Sequence, residues 1–263
     1  MKGIRISLTG DPFLLESDAA YFELAAKHID LEGARLLVCP EFTDLPAACT
    51  VTSVPNRFSN RSTREWMEWT ERSIQAHGFS LSRLYLTDRH PVSRILSESG
   101  YRSRAEIGYV TGSPRPVADS ELSIHPLDLE SNWLDKQRIH ATSRTQPDGY
   151  EVSAQRWTEF ELAKSRTGKL TAHLVWENST ALATFCTLEH NGYLRLKNLL
   201  VDPAHRRRGI GERVIRALEG LATRERLQGV LALAVSGGPG EFLYQSAGMK
   251  PIGRVIEWRK HLS

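Results

Sequence analysis

The fold is decided by the segment Val201-Asp-Pro-Ala-His-Arg-Arg-Arg-Gly-Ile-Gly-Glu212. Residues 193–200, which precede it, alternate between apolar and polar side chains and then become apolar, as in a strand buried at its far end. After it, Val214, Ile215, Leu218 and Leu221 recur at helical spacing among charged residues. The segment is therefore predicted to be a loop that joins a strand to the first turn of a helix.

This loop combines small residues with permanent positive charge. Gly209 and Gly211 carry no Cβ, so the backbone can curl and aim successive N–H groups at one point, beside the unpaired donors of the helix start. Such a geometry binds anions. Arg206, Arg207 and Arg208 add guanidinium groups suited to phosphate oxygens. An arginine triplet alone is usually a solvated face, but in this context a diphosphate site is the better interpretation.

The segment resembles the acyl-CoA site of the GNAT acetyltransferase superfamily, whose signature [Gln/Arg]-x-x-Gly-x-[Gly/Ala] lies between the fourth strand and the third helix. Downstream, Phe242-Leu-Tyr-Gln-Ser-Ala-Gly-Met249 resembles the family's Leu-Tyr-x-x-x-Gly-Phe element. The resemblance implies a strand that bulges near residues 199–201, pairs with the pantetheine arm and polarises the thioester through an N–H group. The cofactor-binding residues that it implies are Leu199, Leu200, Val201, Arg206, Arg207, Arg208, Gly209, Ile210 and Gly211.

The resemblance also implies that Tyr244 protonates the departing CoA thiolate. The general base is less clear, because Arg195 stands where many relatives carry a glutamate, and a guanidinium cannot accept a proton. Glu189 and His190, at the end of the preceding strand, are candidate bases, directly or through a water chain, and both fit exposed turn residues equally well. Arg195 and Lys197 share a strand face, which hints at a negatively charged acceptor or acyl group, although solvated positions explain them equally.

The first half of the chain shows a similar order of elements. Strand patterns cover residues 2–10, 34–39, 84–86 and 105–110, and helical patterns cover 17–28, a segment that begins at 62–65, and 91–99. A shift of 148 residues places Gly100 on Gly248 and, without gaps, Pro55 on Pro203. Sequence identity between the two halves is low, so a chance similarity remains an alternative, but the shared order of strands and helices favours duplication.

Two GNAT-like copies are therefore expected, residues 1–118 and residues 119–263, with the boundary in the Pro- and Gly-rich stretch 112–119. At the positions equivalent to Arg206, Gly209, Gly211 and Tyr244, the first copy carries Phe58, Arg61, Thr63 and Leu96. Side chains at both glycine positions crowd a diphosphate, and leucine donates no proton. The first copy is expected to bind no CoA and to complete a substrate cleft or bury a face of its partner.

Composition narrows the function classes. The chain has 263 residues and a net charge of only +3, so its basic side chains are not massed for nucleic acid. We expect no membrane span, no signal peptide and a cytoplasmic protein, monomeric or a homodimer. Three scattered cysteines predict buried reduced thiols, and nine histidines without ligand spacing predict no metal.

The predicted fold class is α/β (α+β), a mixed, mostly antiparallel central sheet flanked by helices. The expected function is that of an N-acetyltransferase, with catalysis in the second copy. It moves an acetyl group from acetyl-CoA to a primary amine by direct attack in a ternary complex, with no metal and no acyl-enzyme. Two alternatives stay open, a non-catalytic acyl-CoA sensor and, less favoured, a nucleic-acid-binding protein that uses the arginine triplet.

Overall fold

A computed structural model of the chain describes residues 10–112, 122–128, 133–143 and 153–262. In the N-terminal half, the helices and strands are α1 Asp11–Glu23, β1 Lys27–Leu31, β2 Ala34–Val38, β3 Cys49–Thr52, α2 Thr63–Ala76, β4 Leu81–Thr87, α3 Ser93–Glu98 and β5 Arg102–Val110. In the C-terminal half, they are β6 Ser123–Leu127, α4 Leu134–Ser143, α5 Ala154–Ser165, β7 Thr171–Glu177, β8 Thr180–His190, β9 Tyr193–Val201, α6 Ile210–Arg224, β10 Val230–Val235, α7 Pro239–Ser246 and β11 Lys250–His261.

Local sequence accounts for several of these boundaries. Helix α2 begins at a capping box, in which Ser62 and Glu65 each accept from the other's backbone N–H. The helix then buries Trp66, Met67 and Ile74 on one side. The same capping signal was visible in the sequence, and the predicted helix is confirmed.

The described strands form a single sheet of eleven in the order β1-β2-β3-β4-β11-β5-β10-β9-β8-β7-β6. Only β3–β4 and β9–β10 are parallel pairs, so the sheet is mixed and mostly antiparallel, as predicted. The last strand of each half lies beside strands of the other half. Strand β11 runs between β4 and β5, while β5 runs between β11 and β10. The two halves therefore share one continuous sheet.

Helices cover both faces of this sheet. Helix α1 packs on one face, where Leu14 lies with Leu231 and Val255 in one apolar cluster. Helices α6 and α7 pack on the opposite face, where Ala232 and Tyr244 share a cluster. Successive residues of a strand point to opposite faces of the sheet, so the neighbours Leu231 and Ala232 show that the two clusters lie on opposite faces. We refer to them below as the α1 face and the α6/α7 face.

Of three predictions for the front half and its boundary, one is wrong and two fall almost entirely outside the described residues. The helix expected at 17–28 ends at Glu23, and residues 27–31 are strand β1 instead. Strand β1 forms a hairpin with β2 because Glu32 and Gly33 both adopt positive φ, of 56° and 90°, in a two-residue turn. The strand expected at 2–10 and the boundary stretch fall, apart from residues 10 and 112, outside the described residues.

Candidate active site

The sheet opens between β9 and β10. These parallel strands pair at only three positions, which join Leu194–Leu196 to Val230–Ala232. Beyond them, β9 stays paired with β8, and β10 stays paired with β5. A gap with unpaired strand edges therefore forms at the carboxyl ends of β9 and β10, where the loop before α6 begins.

Strand β9 bulges beside this gap. Its register against β8 shifts so that Lys197 pairs with Cys186 and Leu200 pairs with Thr184, which leaves two residues opposite Phe185. Asn198, the first residue of the bulge, adopts φ of 54°. The predicted bulge is confirmed, and it begins at Asn198, one residue before the expected segment.

The side chain of Asn198 anchors the bulge to a buried carboxylate. Its Nδ2 donates to Glu161 Oε1 at 2.7 Å and to the Tyr21 hydroxyl at 3.1 Å. Glu161 is fully buried, and its Oε2 lies 2.8 Å from Lys136 Nζ and 3.1 Å from His140 Nε2. Although burial opposes the charged form, these two cationic partners hold the pKa of Glu161 well below its usual range. The Glu161 carboxylate therefore serves to hold the bulge in place.

The loop after β9 reaches α6 through two left-handed residues. Arg207 and Gly209 adopt φ of 64° and 71°, and Gly209 is the N-cap of α6. An added Cβ on Gly209 would meet nothing within 4 Å, so its conformation is the reason for glycine there. The structure shows a packing role for Gly211. A Cβ there would lie 2.9 Å from Leu243, so this glycine permits close packing of α6 against α7.

The arginine triplet is only partly available to a ligand. Arg206 donates to the carbonyls of Val201 and Ser143, at 3.1 and 3.2 Å, and thereby braces the end of β9. Arg208 donates to Glu177 at 2.5 Å. Arg207 is exposed and makes no hydrogen bond or ion pair within the described residues. The expectation of three phosphate-facing guanidinium groups is thus reduced to one uncommitted group, Arg207.

Tyr244 lies in α7 with its ring almost fully buried, 5.8 Å from the ring of Tyr109. Burial raises the pKa of its phenol to about 12. Arg195, on β9, lowers this pKa, while Glu106, on β5, raises it. These two charges lie on strands to either side of β10, and burial remains the largest of the three effects on the phenol. It stays protonated at neutral pH and can donate a proton.

The strand charges near the gap are neutralised within the protein. Arg195 is fully buried and donates to Asp18, Ser17 and the Leu196 carbonyl at 2.7–2.8 Å. Lys197 also donates to Asp18, at 2.8 Å. Burial opposes ionisation of Asp18, but Lys197 and Arg195 lower its pKa overall. These cations bind α1, so they are neither solvated nor free for an anionic acceptor. Their partner in the distant helix could not be read from the sequence.

The predicted bases lie at the wrong end of the strand for the gap. Glu189 is exposed and pairs with Leu194, five residues and about 16 Å along β9 from Leu199. His190 is the next residue, and its ring lies 5.8 Å from that of Phe13. The geometry supports neither residue as a proton acceptor at the gap.

The equivalent region of the N-terminal half is filled by side chains. Strands β3 and β4 pair at one position, Val51 with Leu84. Phe58 stacks on Trp66 with ring centroids 4.4 Å apart, and Leu96 is buried in the same cluster. Phe58 and Leu96, at the positions equivalent to Arg206 and Tyr244, therefore belong to or pack against the apolar core.

Other predictions concern metals, thiols and membranes. Within the described ranges, no group of three or more potential metal ligands is found. All three cysteines are buried free thiols, as predicted, and burial raises the pKa of Cys49 to about 12. None of the described helices is both long and apolar enough to cross a membrane.

Comparison with known proteins agrees with this geometry. Residues 131–249 match the model of the Acetyltransferase (GNAT) family. Members of that family transfer acyl groups from acyl-CoA, so the match supports an acyltransferase. No curated protein matches the chain by sequence.

Solved structures share the fold at low sequence identity. A functionally unknown conserved protein from Staphylococcus epidermidis superposes with a TM-score of 0.69 and 11% identity, covering 91% of this chain and 96% of that one. A GCN5-related N-acetyltransferase from Kribbella flavida gives a TM-score of 0.63 and 13% identity, with 94% of each chain covered. A tandem GNAT protein from the clavulanic acid biosynthesis pathway gives 0.54 and 13%, with 87% and 78% covered. The GNAT-like mixed fold is thereby established.

Proposed function

We propose that this chain is an N-acetyltransferase that moves an acetyl group from acetyl-CoA to a primary amine by direct attack in a ternary complex. The reaction site in this proposal is the gap between β9 and β10. The observation that carries it is the combination of an unpaired, bulged edge of β9 with a helix, α6, that begins at the loop leaving that edge.

The unpaired edge can bind an extended ligand as a strand would. Beyond Leu196, the β9 backbone groups that face β10 have no strand partner, so they are available to the amide-bearing pantetheine arm. The bulge at Asn198–Leu199 turns backbone groups away from the regular ladder and toward the gap. Residues 199–201 are the proposed pantetheine contacts.

The start of α6 is the proposed diphosphate site. The first N–H groups of a helix have no intrahelical acceptor and carry partial positive charge. Gly209, the left-handed N-cap, turns the chain from the loop after β9 into α6, and Arg207 supplies an uncommitted guanidinium. In this proposal, Arg206 acts by bracing the loop, and Ile210 and Gly211 contribute backbone N–H groups at the first turn.

Tyr244 is the proposed acid. The phenol is held on the α6/α7 face, the same face as the proposed diphosphate site, and is protonated over the whole neutral range. Acetyl-CoA supplies the activated acyl group. The chain orients it and donates the Tyr244 proton to the departing sulfur.

The direct test is thiol release from acetyl-CoA with a panel of primary amines. We expect amine-dependent release in the wild type and at least a tenfold lower turnover in Tyr244→Phe, equivalent to about 1.4 kcal/mol of transition-state stabilisation. Binding of acetyl-CoA without release for any amine would favour the sensor alternative. Neither binding nor release would contradict the proposal.

A further inference from the structure

The N-terminal half places an acidic side chain one strand away from the gap. Glu106 lies on β5, which is the far neighbour of β10, and pairs in register with Val235, the last residue of β10. It also pairs with Val255 of β11. Paired residues of antiparallel strands point to the same face, and Val255 packs in the α1 cluster. Glu106 therefore lies on the α1 face, opposite the face that holds Tyr244.

Its carboxylate is only weakly engaged. Arg104 Nη2 lies 3.5 Å from Glu106 Oε1, but the same nitrogen lies 2.6 Å from Glu257 Oε2, so Glu257 is its main partner. Within the described ranges, the other oxygen of Glu106 has no hydrogen-bond partner. The side chain is 12% exposed. It is thus enclosed, yet one oxygen remains accessible.

Charged groups from four elements act on this carboxylate. Burial raises the pKa of Glu106, and the negative charges of Glu257 on β11 and Asp18 on α1 raise it further. Lys197 on β9 and Arg104 on β5 act in the opposite direction. Glu106 in turn affects the other ionisable groups nearby, which are Arg83, Tyr85 and Tyr244.

Two other carboxylates near the gap are each paired with cations inside the protein. Glu161 accepts from Lys136, His140, Trp157 and Asn198. Asp18 is bound by Arg195 and Lys197. In both cases these cations lower the carboxyl pKa overall, although burial opposes them.

We propose that Glu106 is the group that accepts the proton from the attacking amine, so that the N-terminal half supplies a catalytic residue to the reaction site of the C-terminal half. This inference rests on the proposed function above. It assigns the two faces different tasks. The CoA diphosphate and Tyr244 lie on the α6/α7 face, and the amine reaches the thioester from the α1 face.

The step balances within the chain and its substrates. The neutral amine nitrogen forms a bond to the thioester carbon, and the proton it loses goes to a Glu106 oxygen. The carbon–sulfur bond breaks with its electron pair on sulfur, which takes the Tyr244 proton. Transfer of the proton from Glu106 to the Tyr244 oxygen, through water, restores both groups. The products are the N-acetylated amine and CoA thiol.

The experiment compares Glu106→Gln and Glu106→Asp with the wild type and with Glu189→Gln, a control at the far end of β8. Acetyl-CoA affinity is measured by calorimetry, and kcat and KM are measured between pH 5 and pH 9 with the primary amine that the wild type uses best. We expect Glu106→Gln to bind acetyl-CoA within about twofold of the wild type and to lose about a hundredfold in kcat. The acidic limb of its pH profile should disappear, because the amide does not titrate. Glu189→Gln should match the wild type.

The outcomes separate this inference from the proposed function. A wild type that neither binds acetyl-CoA nor releases thiol overturns both. An active wild type with a Glu106→Gln variant that keeps its kcat, or loses kcat but keeps the acidic limb, overturns only the role of Glu106. If Glu106→Gln fails to bind acetyl-CoA, Glu106→Asp decides: a displaced acidic limb supports the role, and an unchanged limb contradicts it.

Discussion

The buried carboxylate that holds the β9 bulge gives the sharpest stability prediction. Glu161→Gln removes one negative charge without changing the side-chain volume. It leaves the Lys136 ammonium fully buried, 2.8 Å from a group that no longer carries a charge. Removing one partner of a buried ion pair typically costs about 3–5 kcal/mol, because the remaining charge is uncompensated. We expect a loss of that size in the free energy of unfolding.

The matched control is Glu159→Gln, two residues earlier on the same helix. The Glu159 side chain is 40% exposed and pairs with Arg156 at 2.9 Å, so its loss is expected to cost no more than about 1 kcal/mol. The double variant Lys136→Met/Glu161→Gln should regain part of the loss, since no unpaired ammonium remains.

The assay is urea unfolding followed by circular dichroism, at pH 7 and at decreasing pH. The folded-state pKa of Glu161 is depressed, so its stabilising effect is present above its unfolded pKa, near 4.3, and is lost as the pH falls further. The difference between the wild type and Glu161→Gln should therefore shrink below about pH 4. A Glu161→Gln variant within 1 kcal/mol of the wild type at pH 7 would refute the reasoning.

The remaining predictions concern the loop, α7 and the phenol. Gly209→Ala should weaken acetyl-CoA binding and lower the free energy of unfolding by about 1–2 kcal/mol, because φ of 71° is left-handed. Calorimetry measures the affinity, and urea unfolding measures the stability. An unchanged affinity would argue against this loop as the diphosphate site. Gly211→Ala should lower the free energy of unfolding by about 1–3 kcal/mol through contact with Leu243, and a second substitution, Leu243→Ala, should relieve that contact. If the urea unfolding midpoints show that the effects of the two substitutions are additive, this contact is contradicted. The wild-type rate should hold up to alkaline pH, since the Tyr244 pKa is about 12, and a rate that falls between pH 7 and pH 9 would speak against the phenol as acid.

Much of the architecture is encoded locally. The capping box at Ser62, the helical periodicity after Gly209 and the strand pattern of 193–200 each correspond to an observed element. The hairpin of β1 and β2 was missed because its turn, Glu32-Gly33, is not one of the strongest turn dipeptides and the residues before it read as a continuing helix. Local patterns predict an element well where its end carries a capping or turn signal.

The local sequence does not encode which strands and side chains pair with each other, and these pairings determine which residues form the site. The sequence shows β5 and β11 as strands, but nothing in them states that each pairs with the other half. Asp18 could not be identified as the partner of Arg195, which lies 177 residues away. One signal for Glu106 was present: it is the one acidic residue of Ala105-Glu-Ile-Gly-Tyr-Val110, an otherwise largely apolar segment of β5. Because burying a charged group is costly, a carboxylate within an apolar segment indicates either a buried polar interaction or a functional site.

The central claim is that acetyl-CoA binds along β9 and at the start of α6, in the C-terminal half. Amide hydrogen exchange of the full chain, with and without saturating acetyl-CoA, tests this most directly. We expect new protection at residues 198–201 and 209–213, with none at the equivalent N-terminal residues 50–53 and 61–65. Protection confined to the N-terminal residues, or no protection anywhere, would contradict it.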